Sequence, residues 1–179
     1  IATLAKTKDK KYLPLFEKGM NAVSNSVKGN SFSGIASVDP ARITSLADKV
    51  DLEGAGEALI SELIPVIVKN KIEKQMPAIA TTVAFYPFIK FQNPTLGKSA
   101  EDGYNWIMSS DNLKATEKIT KVLVQAKSQM PDNPQIKMMI SQMLKDGLNK
   151  KMEVLKNNPN SATINQQIDA INKAIEAFK

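Results

Sequence analysis

Residues 133–179 of the chain read NPQIKMMISQMLKDGLNKKMEVLKNNPNSATINQQIDAINKAIEAFK. The clearest pattern lies near the C-terminal end, where large apolar side chains recur at steps of four, three, four and three residues. These residues are Ile164, Ile168, Ile171, Ile175 and Phe178. The spacing predicts an amphipathic helix with a single apolar stripe, and Ser161 stands where a helix cap is expected.

The segment before this stripe predicts a second helix that pairs with it. Asn133 and Pro134 form an N-cap followed by proline at the first helical position. Apolar residues then follow at helical spacing: Ile136, Met139, Ile140, Met143, Leu144, Gly147, Leu148 and Leu155. Residues 157–159, Asn-Asn-Pro, predict a turn. Because that connection is short, we expect the two helices to form an antiparallel hairpin.

Upstream of the hairpin, helical spacing with recognisable caps recurs and no strand pattern is found. Prolines divide this part of the chain. Pro65 is expected to kink or split one helix, and Pro87 to interrupt another. The Gly- and Ser-rich stretch 29–37 predicts a loop, and residues 93–97 predict a turn.

The chain is therefore predicted to be all-α, as an irregular bundle of about six or seven helices that ends in the antiparallel hairpin. Its 179 residues suit one domain. We expect a single helical domain over residues 1–179, with a candidate subdomain seam near residues 93–98. The hydrophobic content of 42% and the charged content of 23% are typical of globular rather than disordered chains.

The sequence contains neither Cys nor His. This excludes disulfides, thiolate nucleophiles, Cys-ligated zinc, Ser–His–Asp triads and His-ligated haem. A carboxylate- or Lys-based enzyme is the remaining catalytic alternative. Glu53, Glu57 and Glu62 lie on or near one predicted helix, where solvation and the helix dipole account for them without catalysis. The prediction is a non-catalytic protein with no cofactor and no metal.

The net charge of +6 is carried almost entirely by lysine, since Arg42 is the one arginine. Arginine is the residue best suited to reading base edges, so no sequence-specific nucleic-acid binding is expected. Non-specific, salt-sensitive binding of nucleic acid is a further hypothesis. The longest uncharged run, Gln75–Ile89, is shorter than the ~20 apolar residues of a bilayer crossing and contains two prolines. No membrane span is predicted.

Aromatic residues concentrate in one short segment. The candidate ligand-binding residues are Phe85, Tyr86, Phe88 and Phe91, together with Trp106 further along the chain. One interpretation is that they line a site for a small apolar ligand or a protein partner, because such sites are rich in aromatic side chains. The other interpretation is that they form ordinary core, where aromatic residues are also common.

The leading hypothesis is thus a non-catalytic helical binding protein that binds a small apolar ligand or a partner protein. The chain given begins with Ile rather than Met, and on this ground we expect a processed protein of the cell envelope or exterior, with the cytoplasm as the alternative. The second hypothesis is a structural or regulatory interaction module cut from a larger precursor. Its contacts would be the Ile stripe and the methionines between Met130 and Met152. The oligomeric state is left open.

Overall fold

The computed structural model describes residues 2–47, 52, 53, 55–129, 132–157, 172, 173 and 176, and these residues form helices and connections without a strand. The all-α prediction is confirmed. The described residues contain ten α-helices where the sequence predicted six or seven: α1 Ala2–Thr7, α2 Leu13–Gly19, α3 Asn25–Val38, α4 Pro40–Ala47, α5 Glu57–Lys69, α6 Met76–Ala84, α7 Tyr86–Gln92, α8 Pro94–Ser109, α9 Leu113–Gln129 and α10 Pro134–Lys156. Short 3₁₀ turns at Lys10–Tyr12 and Glu73–Gln75 precede α2 and α6.

The chain packs as two compact units, Ile1–Gly103 and Tyr104–Lys179. The division falls inside α8, which contributes residues to both units. The single domain with a seam near residues 93–98 stays a prediction.

The N-terminal unit contains the largest departure from the sequence-based expectation. Residues 29–37 do not form a loop, because they lie within α3. Gly34 faces Phe16, and a Cβ atom added there would come 2.8 Å from the Phe16 ring. Gly29 faces Leu59 so closely that an added Cβ would overlap it. The small residues are therefore used for close helix packing, and the fully buried Phe16, Phe32 and Ile35 belong to the resulting core.

Prolines act differently at three places in this unit. Pro65 lies inside α5, which continues through it to Lys69 and is not split. Pro87 does interrupt the predicted helix, since α6 ends at Ala84 and α7 begins at Tyr86. Pro94 begins α8 directly after Asn93, whose side chain accepts a hydrogen bond from the Leu96 N–H at 3.1 Å. The predicted turn over residues 93–97 is therefore wrong, because most of it is the first turn of α8.

The C-terminal unit contains the end of α8 together with α9 and α10. The predicted start of α10 is confirmed, since the Asn133 side chain accepts hydrogen bonds from the Gln135 and Ile136 N–H groups. Most of the predicted apolar side is buried: Ile140, Met143, Leu144, Gly147, Leu148 and Leu155. The Tyr104 hydroxyl of α8 donates to the Met143 carbonyl at 2.9 Å. The predicted Ile stripe and, except for Asn157, the turn before it lie outside the described residues, so the antiparallel hairpin stays a prediction.

Across the described ranges, no helix combines the length and the apolar character that crossing a membrane requires.

Candidate binding surface

The predicted aromatic segment forms the junction between α6 and α7 and the whole of α7. Phe85 separates the two helices, and its N–H donates to the Thr82 carbonyl at 3.1 Å. Its own carbonyl accepts from the N–H groups of Phe88 at 3.0 Å and Ile89 at 3.2 Å, which opens α7. Pro87 fits this first turn because its missing N–H would have no helical partner there. Local backbone chemistry thus places the aromatic residues on a short, separate helix.

Two contacts fix α7 on the beginning of α8. The Lys90 backbone lies so close to Gly97 that an added Cβ at Gly97 would overlap it, so only glycine permits this crossing. The Lys90 ammonium also lies 2.8 Å from the Glu101 carboxylate. This hydrogen-bonded pairing raises the pKa of Lys90. The corner between α7 and α8 is therefore held by backbone packing and by an ion pair at its edge.

The aromatic side chains of this segment lie at the surface. Phe85, Tyr86 and Phe88 are half-buried, and Phe91 is 91% exposed. The Phe85 and Phe88 ring centroids are 6.4 Å apart with the ring planes tilted by 56°, an ordinary aromatic pair. No residue of α7 is fully buried. We call Phe85, Tyr86, Phe88 and Phe91 the aromatic surface.

Trp106, the fifth predicted site residue, belongs to the C-terminal unit. It lies half-buried near the end of α8, while the aromatic surface belongs to the N-terminal unit.

A second feature, which was not predicted from the sequence, lies near Trp106 in the C-terminal unit. Lys151 of α10 is fully buried. Its Nζ donates to the Ile107 carbonyl at 3.5 Å and, over a shorter distance, to the Ser110 carbonyl. These carbonyls lie at the C-terminal end of α8, and the Ile107 carbonyl also accepts from the Ser110 N–H at 3.2 Å and from the Ser110 hydroxyl at 2.8 Å. The amine therefore caps α8 from a different helix.

Burial lowers the pKa of Lys151 to about 8, although the nearby Asp111 carboxylate acts in the opposite direction. The dominant cause is the loss of water around the ammonium, which disfavours its charged form. A signal for this site was present in the sequence. Lys151 stands in the apolar stripe of α10, three residues after Leu148 and four before Leu155, where the pattern expects an apolar side chain.

The carboxylates considered for catalysis are exposed. Glu53, Glu57 and Glu62 all lie at the surface, which is the environment expected of solvated helix charges. Within the described ranges, no three acidic side chains converge in a way that could hold a metal ion. The aromatic surface and the Lys151 cap thus differ from these solvated carboxylates, since one exposes apolar side chains and the other buries an amine.

No protein-family model, curated protein or solved structure matches the chain.

Proposed function

We propose that the protein is a non-catalytic binding protein whose aromatic surface takes up apolar side chains of a partner protein. A small apolar ligand is the alternative occupant. The observation that carries the proposal is the 91% exposure of Phe91 on a helix whose position is otherwise fixed. Aromatic residues are enriched at protein interfaces relative to the rest of the surface, and a Phe side chain this exposed gains free energy when a partner buries it.

The energetic argument rests on pre-organisation. Burying an exposed Phe side chain against a partner contributes about 2 kcal/mol, and aromatic residues are frequent among the side chains that dominate binding energy. The Gly97 crossing and the Lys90–Glu101 pair hold α7 in place before any partner binds. Less ordering is then needed on binding, which favours affinity.

The exposure of the aromatic side chains favours a protein partner over a small ligand. Small-molecule sites enclose about 70–90% of the ligand surface and are concave. Phe91 is instead nearly as exposed as a free side chain, and Phe85 and Phe88 are half-buried. An open surface of this kind matches the apolar centre of a protein interface, where aromatic residues are enriched.

Site-specific photo-crosslinking tests the proposal. A photoreactive phenylalanine analogue would replace Phe91 in one sample and Val23, which is 100% exposed, in the matched control. In a lysate of the source organism, we expect a crosslinked product of defined mass from position 91 and none from position 23. The product should disappear when excess unlabelled wild-type protein competes and persist when an excess of the F91S variant is added.

Equal crosslinking from positions 23 and 91, or none from position 91, would contradict the partner-binding proposal. Native mass spectrometry tests whether a small apolar ligand, rather than a partner protein, occupies the aromatic surface. A small added mass that is lost on denaturation and absent from the F91S variant would indicate an apolar ligand instead. Circular dichroism should show F91S fully folded, because substitutions at exposed positions alter stability little.

A second candidate is the interaction module, favoured by exposed methionines on α10. Met138 is 68% and Met139 is 38% exposed, and exposed methionines form adaptable contact surfaces. This candidate predicts that self-association or partner binding is weakened by Met138→Ser, as measured by sedimentation velocity over a range of concentrations. Loss of association in F91S alone would favour the aromatic surface.

The location in the cell envelope or exterior is a separate proposal, with the cytoplasm as the alternative. Fractionation of the source cells, followed by detection of the protein in each fraction, tests it directly.

A further inference from the structure

Lys151 is the one charged side chain among the buried residues of the described ranges. Its neighbour Lys150 is exposed, as a lysine on a helix surface normally is. A lysine that is fully buried keeps its place only if its amine finds hydrogen-bond acceptors. The Ile107 and Ser110 carbonyls at the end of α8 supply them.

The groups around the amine are mostly uncharged. On α8, Tyr104 is the buried ionisable side chain, and its hydroxyl is already bonded to the Met143 carbonyl. In the connection to α9, Asp111 is the charged group that acts on Lys151. The buried face of α9 carries no ionisable side chain, since it consists of Ala115, Thr116, Ile119 and Leu123. On α10 itself, Asp146, Lys150 and Glu153 are exposed.

Two opposing effects therefore act on the proton of Lys151. The carbonyl end of a helix and the Asp111 carboxylate both favour the ammonium. Loss of hydration disfavours it, and this effect is the larger one, because the pKa of Lys151 falls to about 8. The neutral amine still has N–H groups to donate to the carbonyls, and it carries no charge that burial would penalise.

We propose that Lys151 forms a pH-dependent contact between the C-terminal end of α8 and helix α10. This contact is more stable when the amine is neutral than when it is protonated. At lower pH the ammonium gains free energy by reaching water. The last turn of α8 and the connection to α9 then open more often. This device acts on local opening of the C-terminal unit and is independent of the aromatic surface.

The composition of the chain makes the titration of Lys151 easier to observe. There is no His and no Cys, so no side chain with an ordinary pKa titrates between about pH 6 and 9. The chain has a single tryptophan, Trp106, which directly precedes Ile107. Its fluorescence therefore reports from the same turn of α8 that Lys151 caps.

The experiment follows Trp106 emission of the full chain from pH 6 to 9.5. We expect a transition that fits one proton, with its midpoint at about pH 8. It should vanish in K151M and in K151Q, whose amide can donate to the same carbonyls without titrating. It should remain in K150M, the matched control at the neighbouring exposed position.

A further variant keeps the proposal testable if the Lys151 substitutions do not fold. D111N removes the carboxylate that favours the ammonium, so the midpoint should move to lower pH. A midpoint unchanged in D111N would overturn the proposal. So would a wild-type chain without a transition, or a transition that persists in a folded K151M or K151Q. The last result would assign the proton to another group, such as the terminal amine, whose ordinary pKa lies near 8.

Discussion

Helix α3 in the N-terminal unit and helix α10 in the C-terminal unit share two packing features but differ in how their buried polar side chain is hydrogen-bonded. Each has a glycine where a neighbouring side chain approaches closely: Phe16 at Gly34, and Tyr104 at Gly147. Each also buries a polar side chain completely, Ser31 in α3 and Lys151 in α10. The Lys151 amine has two carbonyl acceptors, whereas the Ser31 hydroxyl has no hydrogen-bond partner within the described residues.

The difference follows from the reach of each side chain. Lysine extends far enough to meet the carbonyls at the end of another helix. The hydroxyl of serine reaches only the carbonyls of its own helix. Ser37 of α3 donates to the Ser33 carbonyl in this way, whereas Ser31 makes no such bond within the described residues. In α3 the small Ser31 side chain therefore fits a close-packed interior, but its hydroxyl has no hydrogen-bond partner within the described residues. In α10 the polar group itself joins two helices.

The largest expected effect comes from closing the glycine contact in α3. Gly34→Leu places carbon atoms where a Cβ would already lie 2.8 Å from the Phe16 ring, and Phe16 is fully buried. Overpacking outweighs the gain in helix propensity, so we expect a loss of about 3 kcal/mol in the free energy of unfolding. Urea unfolding followed by circular dichroism measures it.

Two further variants show whether the Phe16 contact is the cause. Phe16→Ala combined with Gly34→Leu should lose less than the sum of the two single losses, because the leucine occupies space that the ring leaves. Gly56→Ser is the matched glycine control. A Cβ at Gly56 meets nothing within 4 Å, and serine suits an N-cap. Additive losses in the double variant would refute the packing account of α3.

The second-largest expected effect is a dependence of the free energy of unfolding on pH, caused by Lys151. In the unfolded chain this lysine keeps its proton up to the ordinary pKa of 10.5, whereas in the folded chain it releases it at about 8. Between these values the unfolded state binds more protons, so the free energy of unfolding rises with pH. We expect a rise of about 2 kcal/mol between pH 7 and 9.5.

Urea unfolding at pH 7, 8, 9 and 9.5 measures this dependence, with K150M as the control that should retain it. K151M should show a nearly flat profile over the same range. A profile in K151M as steep as that of the wild type would assign the proton linkage elsewhere. A fall in wild-type stability towards pH 9.5 would contradict the sign of the argument.

The two helices also show how far sequence reasoning reaches in this fold. Helix α10 follows from local chemistry, since Asn133 and Pro134 begin it and apolar residues recur along one side. Helix α3 does not, because a stretch rich in Gly, Ser and Asn has the composition of a loop. Its helical state is explained by Leu59 and Phe16, which are distant in sequence and close in space. Local propensity contains no information about such partners.

The candidate sites divide in the same way. The aromatic surface could be located from the sequence, because its four residues lie within a single short helix and its preceding residue. The exposure of these residues could not be predicted from the sequence, because the helix period does not tell which side of a seven-residue helix faces solvent. Lys151 was visible as a charge in an apolar stripe, but its acceptors come from α8, more than 40 residues away.

The smallest expected effect comes from removing the Ser31 hydroxyl in α3, which has no hydrogen-bond partner within the described residues. Ser31→Ala removes a buried donor without a partner in the described structure and introduces the best helix former, so we expect a gain of about 1 kcal/mol in the free energy of unfolding. Ser37→Ala in the same helix is the matched control. Ser37 is exposed, and its hydroxyl donates to the Ser33 carbonyl at 2.9 Å, so the helix-propensity gain is shared while the desolvation gain is not. An equal gain in both variants would mean that helix propensity alone acts, and a loss at Ser31 would mean that its hydroxyl is bonded in solution. Either result would remove the contrast with Lys151, because both helices would then bury only polar groups that are satisfied.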